Sequence, residues 1–157
     1  MSSALHQRIH QRTFTSAYQE AYLSIIVAAD TLARATEETC ALFGITAAQY
    51  NVLRILRGVH PEGHARQDII NRMITTAPDV TRLIDRLVTA GWAKRGKSDS
   101  DARLSLTFIT PKGLQLLESI EPHITALDQK LASVMSSDDA NELVRLCGLV
   151  IEQHPPK

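Results

Sequence analysis

Residues 75–110 read TTAPDVTRLIDRLVTAGWAKRGKSDSDARLSLTFIT. Within this stretch Val80, Leu83, Ile84, Leu87 and Val88 fall at i, i+3, i+4, i+7 and i+8, the spacing of an apolar stripe along a helix. Asp79, Thr81, Arg82, Asp85, Arg86 and Thr89 are left facing outward. Thr76 is the expected N-cap: Asp79 stands three residues on, where a capping box carries Glu or Gln, and Pro78 sits in the first turn, where a missing N–H costs nothing. Gly91 closes the helix. Beyond it, WAKRGK and LSLTFIT suit strands, the second by alternation of Leu104, Leu106 and Phe108 with Ser105, Thr107 and Ile109. SDSDA between them has turn chemistry, so the stretch predicts a helix followed directly by a β-hairpin, the arrangement of a wing.

Working outward, RQDIINRM predicts a short helix with Ile69, Ile70 and Met73 on its buried side, and ITT links it to the helix above. Two short helices joined by three or four residues, the second with an arginine-bearing outer face, make a helix-turn-helix. Upstream, Thr46 caps a helix over TAAQYNVLRILRG, with Val52, Leu53 and Leu56 inward and Gly58 near its end. In VHPEGHA, His60 and His64 are four apart, but Pro61 and Gly63 between them exclude a helical metal pair, so both read as solvated loop histidines.

Residues 14–43 predict a long helix striped by Phe14, Tyr18, Ala21, Ile25, Ala28, Leu32 and Ala35 and stopped by Gly44. Tyr22, Ile26, Ala29 and Ala33 widen that stripe beyond what one neighbouring helix would cover. Downstream, Thr110 and Pro111 start a helix carrying Leu114, Leu117, Ile120, Ile124, Leu127, Leu131 and Val134, which Pro122 should kink or divide. A last helix begins near Ser136 to Asp139 and presents Leu143, Leu146, Cys147, Val150 and Ile151.

At 157 residues, 44% hydrophobic and 4% aromatic, the chain can bury one sizeable core, and a single globular unit is expected. No run of eighteen apolar residues occurs and the N-terminal MSSALHQRIHQRTF has no hydrophobic h-region, so neither a membrane span nor a signal peptide is expected, and the protein should be cytoplasmic. Cys40 and Cys147 lie far apart without CxxC or CxxH spacing and read as buried small apolar residues, with no disulfide and no metal site. Net charge is zero but unevenly spread: residues 66–103 carry eight Lys/Arg against five Asp/Glu, an excess that the rest of the chain reverses. A local basic region on a neutral chain suits a small phosphate-facing surface. No GxSxG, HExxH, Walker loop or clustered His/Asp/Glu appears, so neither an enzyme nor a cofactor is expected.

YNVLRIL, APDVTRLIDRLVTAGWAKR, DSDAR and LTFITPKGLQLLE, in this order and spacing, resemble the MarR family of bacterial winged-helix transcription regulators over roughly residues 14 to 151. The resemblance implies a mainly α fold with a small β-hairpin wing. It implies three parts: residues 1–45 and 111–157 as the N- and C-terminal helices of a dimerisation region, and 46–110 as a winged helix-turn-helix lobe. It further implies a homodimer whose terminal helices interlock, bound to a pseudopalindromic operator on double-stranded DNA and acting as a repressor. The apolar surplus on the terminal helices agrees, since it exceeds what a 90-residue lobe would cover.

Major-groove readout needs exposed donors and acceptors near the start of the second helix. The candidates are Thr75, Thr76, Asp79, Thr81, Arg82 and Arg86, with Arg82 favoured for a guanine. Arg82 or Arg86 could instead pair with Asp79 or Asp85 on a solvated face. Asp101 and Arg103 match the family's Asp-x-Arg wing tip, in which the Arg resembles a minor-groove probe and the Asp orients it. Ala102 stands where related sequences often carry a second basic residue, which lowers the expected wing affinity. Lys94, Arg95 and Lys97 are expected to face phosphates.

Family resemblance also implies a small aromatic or phenolic anion as effector, held between the dimer helices and the DNA lobe, with His10, Tyr18, Tyr22, Tyr50 and Trp92 as candidates for its cleft. Ordinary packing is the competing reading for each. Two other readings are weighed. One is a regulator of the same fold sensing oxidants through a cysteine, although no basic residue near Cys40 would favour its thiolate. The other is a winged-helix module that binds protein.

Overall fold

The computed structural model of the chain describes residues 3–98 and 103–153. Side chains that take up free N–H groups set its long helices. After the short α1 (Ser3–Ile9), which no sequence pattern announced, Ser16 accepts from the Gln19 N–H at 3.2 Å and starts α2 (Ala17–Ala41). Thr46 and Gln49 then cap each other: the Gln49 N–H reaches Thr46 Oγ1 at 3.1 Å and the Thr46 N–H reaches Gln49 Oε1 at 2.9 Å, opening α3 (Ala47–Arg57) with the expected Thr46 cap.

Next come β1 (His64–Ala65), α4 (Arg66–Arg72), α5 (Val80–Thr89), β2 (Ala93–Lys97), β3 (Ser105–Ile109), α6 (Pro111–Ala132) and α7 (Ser137–Gln153). The strands form one antiparallel sheet in the order β1-β3-β2, with Ala93 opposite Ile109, Lys97 opposite Ser105 and His64 opposite Thr107. The wing hairpin is thus present as predicted, with a third short strand laid along its far side. Among the described residues no helix is long and apolar enough to cross a membrane.

The chain gathers into two compact units, residues 1–120 and 121–157. The first holds a core of fully buried side chains: Cys40 of α2, Val52, Leu53 and Leu56 of α3, Ile69 of α4, Leu87 of α5, and Leu117 and Ile120 of α6. Ile84, Ala93 and Ile109 are nearly as deep. In the second unit α7 has no buried residue, and Leu143, Val144, Leu146, Leu149, Val150 and Ile151 are all exposed.

Three expectations are corrected, the first being Cys147, read as buried and here only half-buried on α7, which has no buried residue. Asp79, not Thr76, caps α5: its Oδ1 accepts from the Arg82 N–H at 2.9 Å, and residues 73–79 form the link. His64 is not solvated but opens β1 with 9% of its surface exposed, because pairing with β3 draws it under the sheet. In β3 the deeper face is Thr107 and Ile109, while Leu106 and Phe108 are only half-buried and Leu104 is exposed. Pro122 does not divide α6, which is continuous from Pro111 to Ala132. A proline deletes one ladder bond and crowds one carbonyl, and the intact turns on either side carry the helix through.

Candidate nucleic-acid interface

The link between α4 and α5 is held from behind by α3, where Asn51 Oδ1 accepts the Ile74 N–H at 2.9 Å. From there α5 presents Thr81 and Arg82 in its first turn and Arg86 one turn on, all exposed, while Val80, Ile84 and Leu87 are buried. Thr75 and Thr76 are exposed in the link ahead of the helix. Asp79 is therefore engaged as a cap with one oxygen. Its other oxygen lies 3.9 Å from Arg82 Nε, a long and solvated pairing that holds the guanidinium weakly.

The wing supplies the second group. Lys94, Arg95 and Lys97 are exposed on β2, and Arg103 is exposed just before β3. Arg95 has a partner within the lobe: its Nη2 meets Asp85 Oδ1 at 2.6 Å, which ties the wing to α5. Lys94 Nζ stands 5.9 Å above the Phe108 ring. Asp101, along with Asp99 and Ala102, lies outside the described residues. Arg66, exposed at the first position of α4, is a basic residue that the sequence reading counted for charge only; its place in the first turn of the leading helix-turn-helix helix was the available signal.

The effector candidates sit on or beside four elements, α1, α2, α3 and α5. His10 follows α1 with φ 54°, and Tyr18 (86% exposed) and Tyr22 lie one turn apart on α2. Tyr50 is buried on α3 with the Arg54 guanidinium 5.8 Å above its ring, and Trp92 follows α5 with Lys112 Nζ 5.9 Å above its ring. A groove does lie between α1 and α2, lined by Leu5, Arg8, Ser24, Val27, Ala28 and Thr31 among others, and none of the five candidates borders it. Its hydroxyls are spent on the helix, Ser24 on the Glu20 carbonyl and Thr31 on that of Val27.

Two buried nucleophilic or titratable groups stand apart from these surfaces. Burial, with Glu37 adding to it, pushes the Cys40 thiol up to about 11. Such a thiol stays protonated at neutral pH, an environment that disfavours the thiolate an oxidant would attack. His64 Nδ1 is 4.0 Å from Asp68 Oδ2, and its buried Nε2 meets no hydrogen-bond partner among the described residues. Burial, then Arg72, lower its pKa, against a smaller opposing pull from Asp68.

This geometry has known counterparts. A sequence profile of the MarR family matches residues 43–104, from just after α2 to just before β3. A MarR transcription factor from Planctomyces limnophilus, solved by crystallography, is 38% identical, with 87% of this chain and 99% of that chain covered and a TM-score of 0.66. Sco3205 from Streptomyces coelicolor, a MarR family transcriptional regulator crystallised in complex with DNA, superposes with a TM-score of 0.80 over 94% of each chain at 20% identity. CouR from Rhodococcus jostii RHA1, bound to p-coumaroyl-CoA, gives a TM-score of 0.76 over 92% of this chain and 99% of that chain at 17% identity. With its helix-turn-helix, its wing and a relative of this identity along nearly its whole length, the chain belongs to the MarR family of transcriptional regulators.

Proposed function

We propose that the protein represses transcription as a homodimer on a pseudopalindromic operator, with α5 in the major groove and the wing in the adjacent minor groove. The observation that carries this reading is the outward face of α5, where Thr81, Arg82 and Arg86 stand exposed directly after a short α4 and beside a basic hairpin. An arginine at that position suits guanine, whose O6 and N7 accept both arms of a guanidinium. Lys94, Lys97 and Arg66 serve phosphates, and Arg103 the minor groove. The DNA complex of Sco3205 supports the same use of this fold.

Dimerisation is supported by α2 and α7, the one exposing Tyr18, Tyr22, Ile25, Ile26 and Leu32 and the other six aliphatic side chains. On this reading residues 1–45 and 111–157 form the dimerisation region and residues 46–110 the DNA-binding lobe. Release by a small molecule is part of the proposal, supported by CouR to the extent that a protein of this fold holds p-coumaroyl-CoA.

The test is selection of bound genomic fragments, followed by anisotropy titration of the selected duplex over a range of salt concentrations. Specific binding that weakens steeply with salt supports the regulator. No binding to any duplex overturns it in favour of a protein-binding module.

A further inference from the structure

The C-terminal end of α5 is joined to the start of α6 by an unusual number of direct bonds. The Schellman turn through Gly91 (φ 77°) brings Trp92 N–H back to the Leu87 carbonyl at 3.0 Å, which leaves the carbonyls of Ala90, Gly91 and Trp92 to find partners elsewhere. All three are taken from the leading edge of α6. Lys112 Nζ donates to Ala90 O at 2.8 Å, Thr110 Oγ1 to Gly91 O at 2.7 Å, and the Thr110 N–H to Trp92 O at 3.1 Å. The Thr110 hydroxyl also accepts the Gly113 N–H at 3.1 Å, so one oxygen bridges both helix ends. The backbones touch: a Cβ on Gly113 would lie 2.3 Å from Trp92 O and 2.8 Å from Ile109 Cγ1.

We propose that this junction sets the aim of α5 and that Lys112 is a positioning residue for DNA readout. The proposal rests on the reading of α5 as the DNA-contacting helix. Burial of Val80, Ile84 and Leu87 fixes which face of α5 turns outward, but it does not fix the tilt. Tilt is set where the helix is pinned. With ten residues at 1.5 Å rise, α5 is a lever of about 15 Å, so a rotation of about 10° at its pinned end moves Thr81 and Arg82 by about 2.5 Å. That is nearly the length of a hydrogen bond and enough to lose a base edge. Lys112 is the adjustable member, because it is exposed and reaches the helix end on a flexible stem, while Thr110 acts through a short hydroxyl and its own N–H and Gly113 through the backbone. Its charge also lies at the negative end of the α5 dipole and over the Trp92 face.

The experiment uses the full chain, the selected operator, versions of that operator with the half-site separation changed by one or two base pairs, and a scrambled duplex. Lys112→Met keeps the stem against Trp92 and removes the donor, and Lys112→Arg keeps a donor. The expected result for Lys112→Met is a five-fold or greater loss of preference for the native separation over the altered ones. Affinity for scrambled duplex and the melting temperature should stay near wild type, and Lys112→Arg should restore the preference. A residue with a merely structural role would lower the melting temperature and weaken all duplexes alike, and that result overturns the proposal. An unchanged separation profile in Lys112→Met also overturns it while leaving the DNA reading intact. Wild-type protein that binds no duplex sinks the DNA reading and this proposal together.

Discussion

Arg82 and Arg103 stand at opposite ends of the proposed contact, one on the first turn of α5 and one where the hairpin re-enters β3. Replacing either by alanine should weaken operator binding by about 1–3 kcal/mol, the scale of a good groove contact, with little change in melting temperature since both are exposed. Anisotropy titration with selected and scrambled duplexes checks this, and Arg82→Ala should relax base preference where Arg103→Ala lowers affinity. His64 carries a different expectation. Its folded pKa lies below the ordinary imidazole value of about 6.5, so on acidification the unfolded chain takes up this proton first. Its contribution to stability is therefore complete above about pH 6.5 and is lost as the pH falls from there towards the folded pKa. Thermal melts between pH 7.5 and 5.5 should show wild type losing stability more steeply than His64→Leu. Parallel slopes would contradict the assignment. The residue scale was also where the sequence was ambiguous. Thr76 and Asp79 both carry an oxygen able to cap, three positions apart on either side of Pro78, and the choice of Asp79 depends on how far the link must reach from α3.

At the scale of elements, the helices with full apolar periods were legible, as were the Thr46 and Thr110 caps. Two residues of β1 offer no period to read, and the strand exists because His64 and Ala65 find Thr107 and Leu106 on β3. In β3 the alternation alone left the inner face open, since both faces carry apolar side chains, and on a strand packed against α3 and α4 it is Thr107 and Ile109 that lie buried. α1 was missed because seven residues beginning Ser-Ala-Leu-His carry too short a stripe. The α5 to α6 junction was invisible in sequence, since two of its bonds run from side chains to main-chain carbonyls nineteen and more residues away. It makes a definite prediction at Gly113. Alanine there must push against the Trp92 carbonyl and Ile109 together, and a destabilisation of about 1–3 kcal/mol is expected by chemical denaturation, the range for overpacking a tight contact.

For the whole molecule, the excess of apolar surface on the first and last helices was readable because two dozen residues of stripe cannot be hidden by a lobe of this size. What the sequence could not supply was which faces stay uncovered in a single chain. Along α7, Leu143, Leu146 and Val150 keep nearly half of their surface exposed, and Val144 and Ile151 more. A proposed dimer of 17.3 kDa chains should elute at about twice that mass in light-scattering chromatography, and Leu146→Glu should shift it to the single-chain mass. A wild type that runs as one chain would refute the paired arrangement. The binding sites proposed for the effector were the least legible, because aromatic residues at helical spacing look alike whether they line a cleft, pack in a core as Tyr50 does, or stand in solvent as Tyr18 does.

The strand order β1-β3-β2 has a consequence for handling the protein. β3 is flanked on both sides, but β2 has a strand neighbour only on its β3 side among the described residues, which leaves its far margin as an open sheet edge. Lys94, Arg95 and Lys97 lie on that margin, and cations on such a border keep a second molecule from adding its own strand there. Neutralising all three to probe phosphate contacts would also remove this guard, and the resulting self-association would pass for weakened affinity unless turbidity is followed alongside the titration.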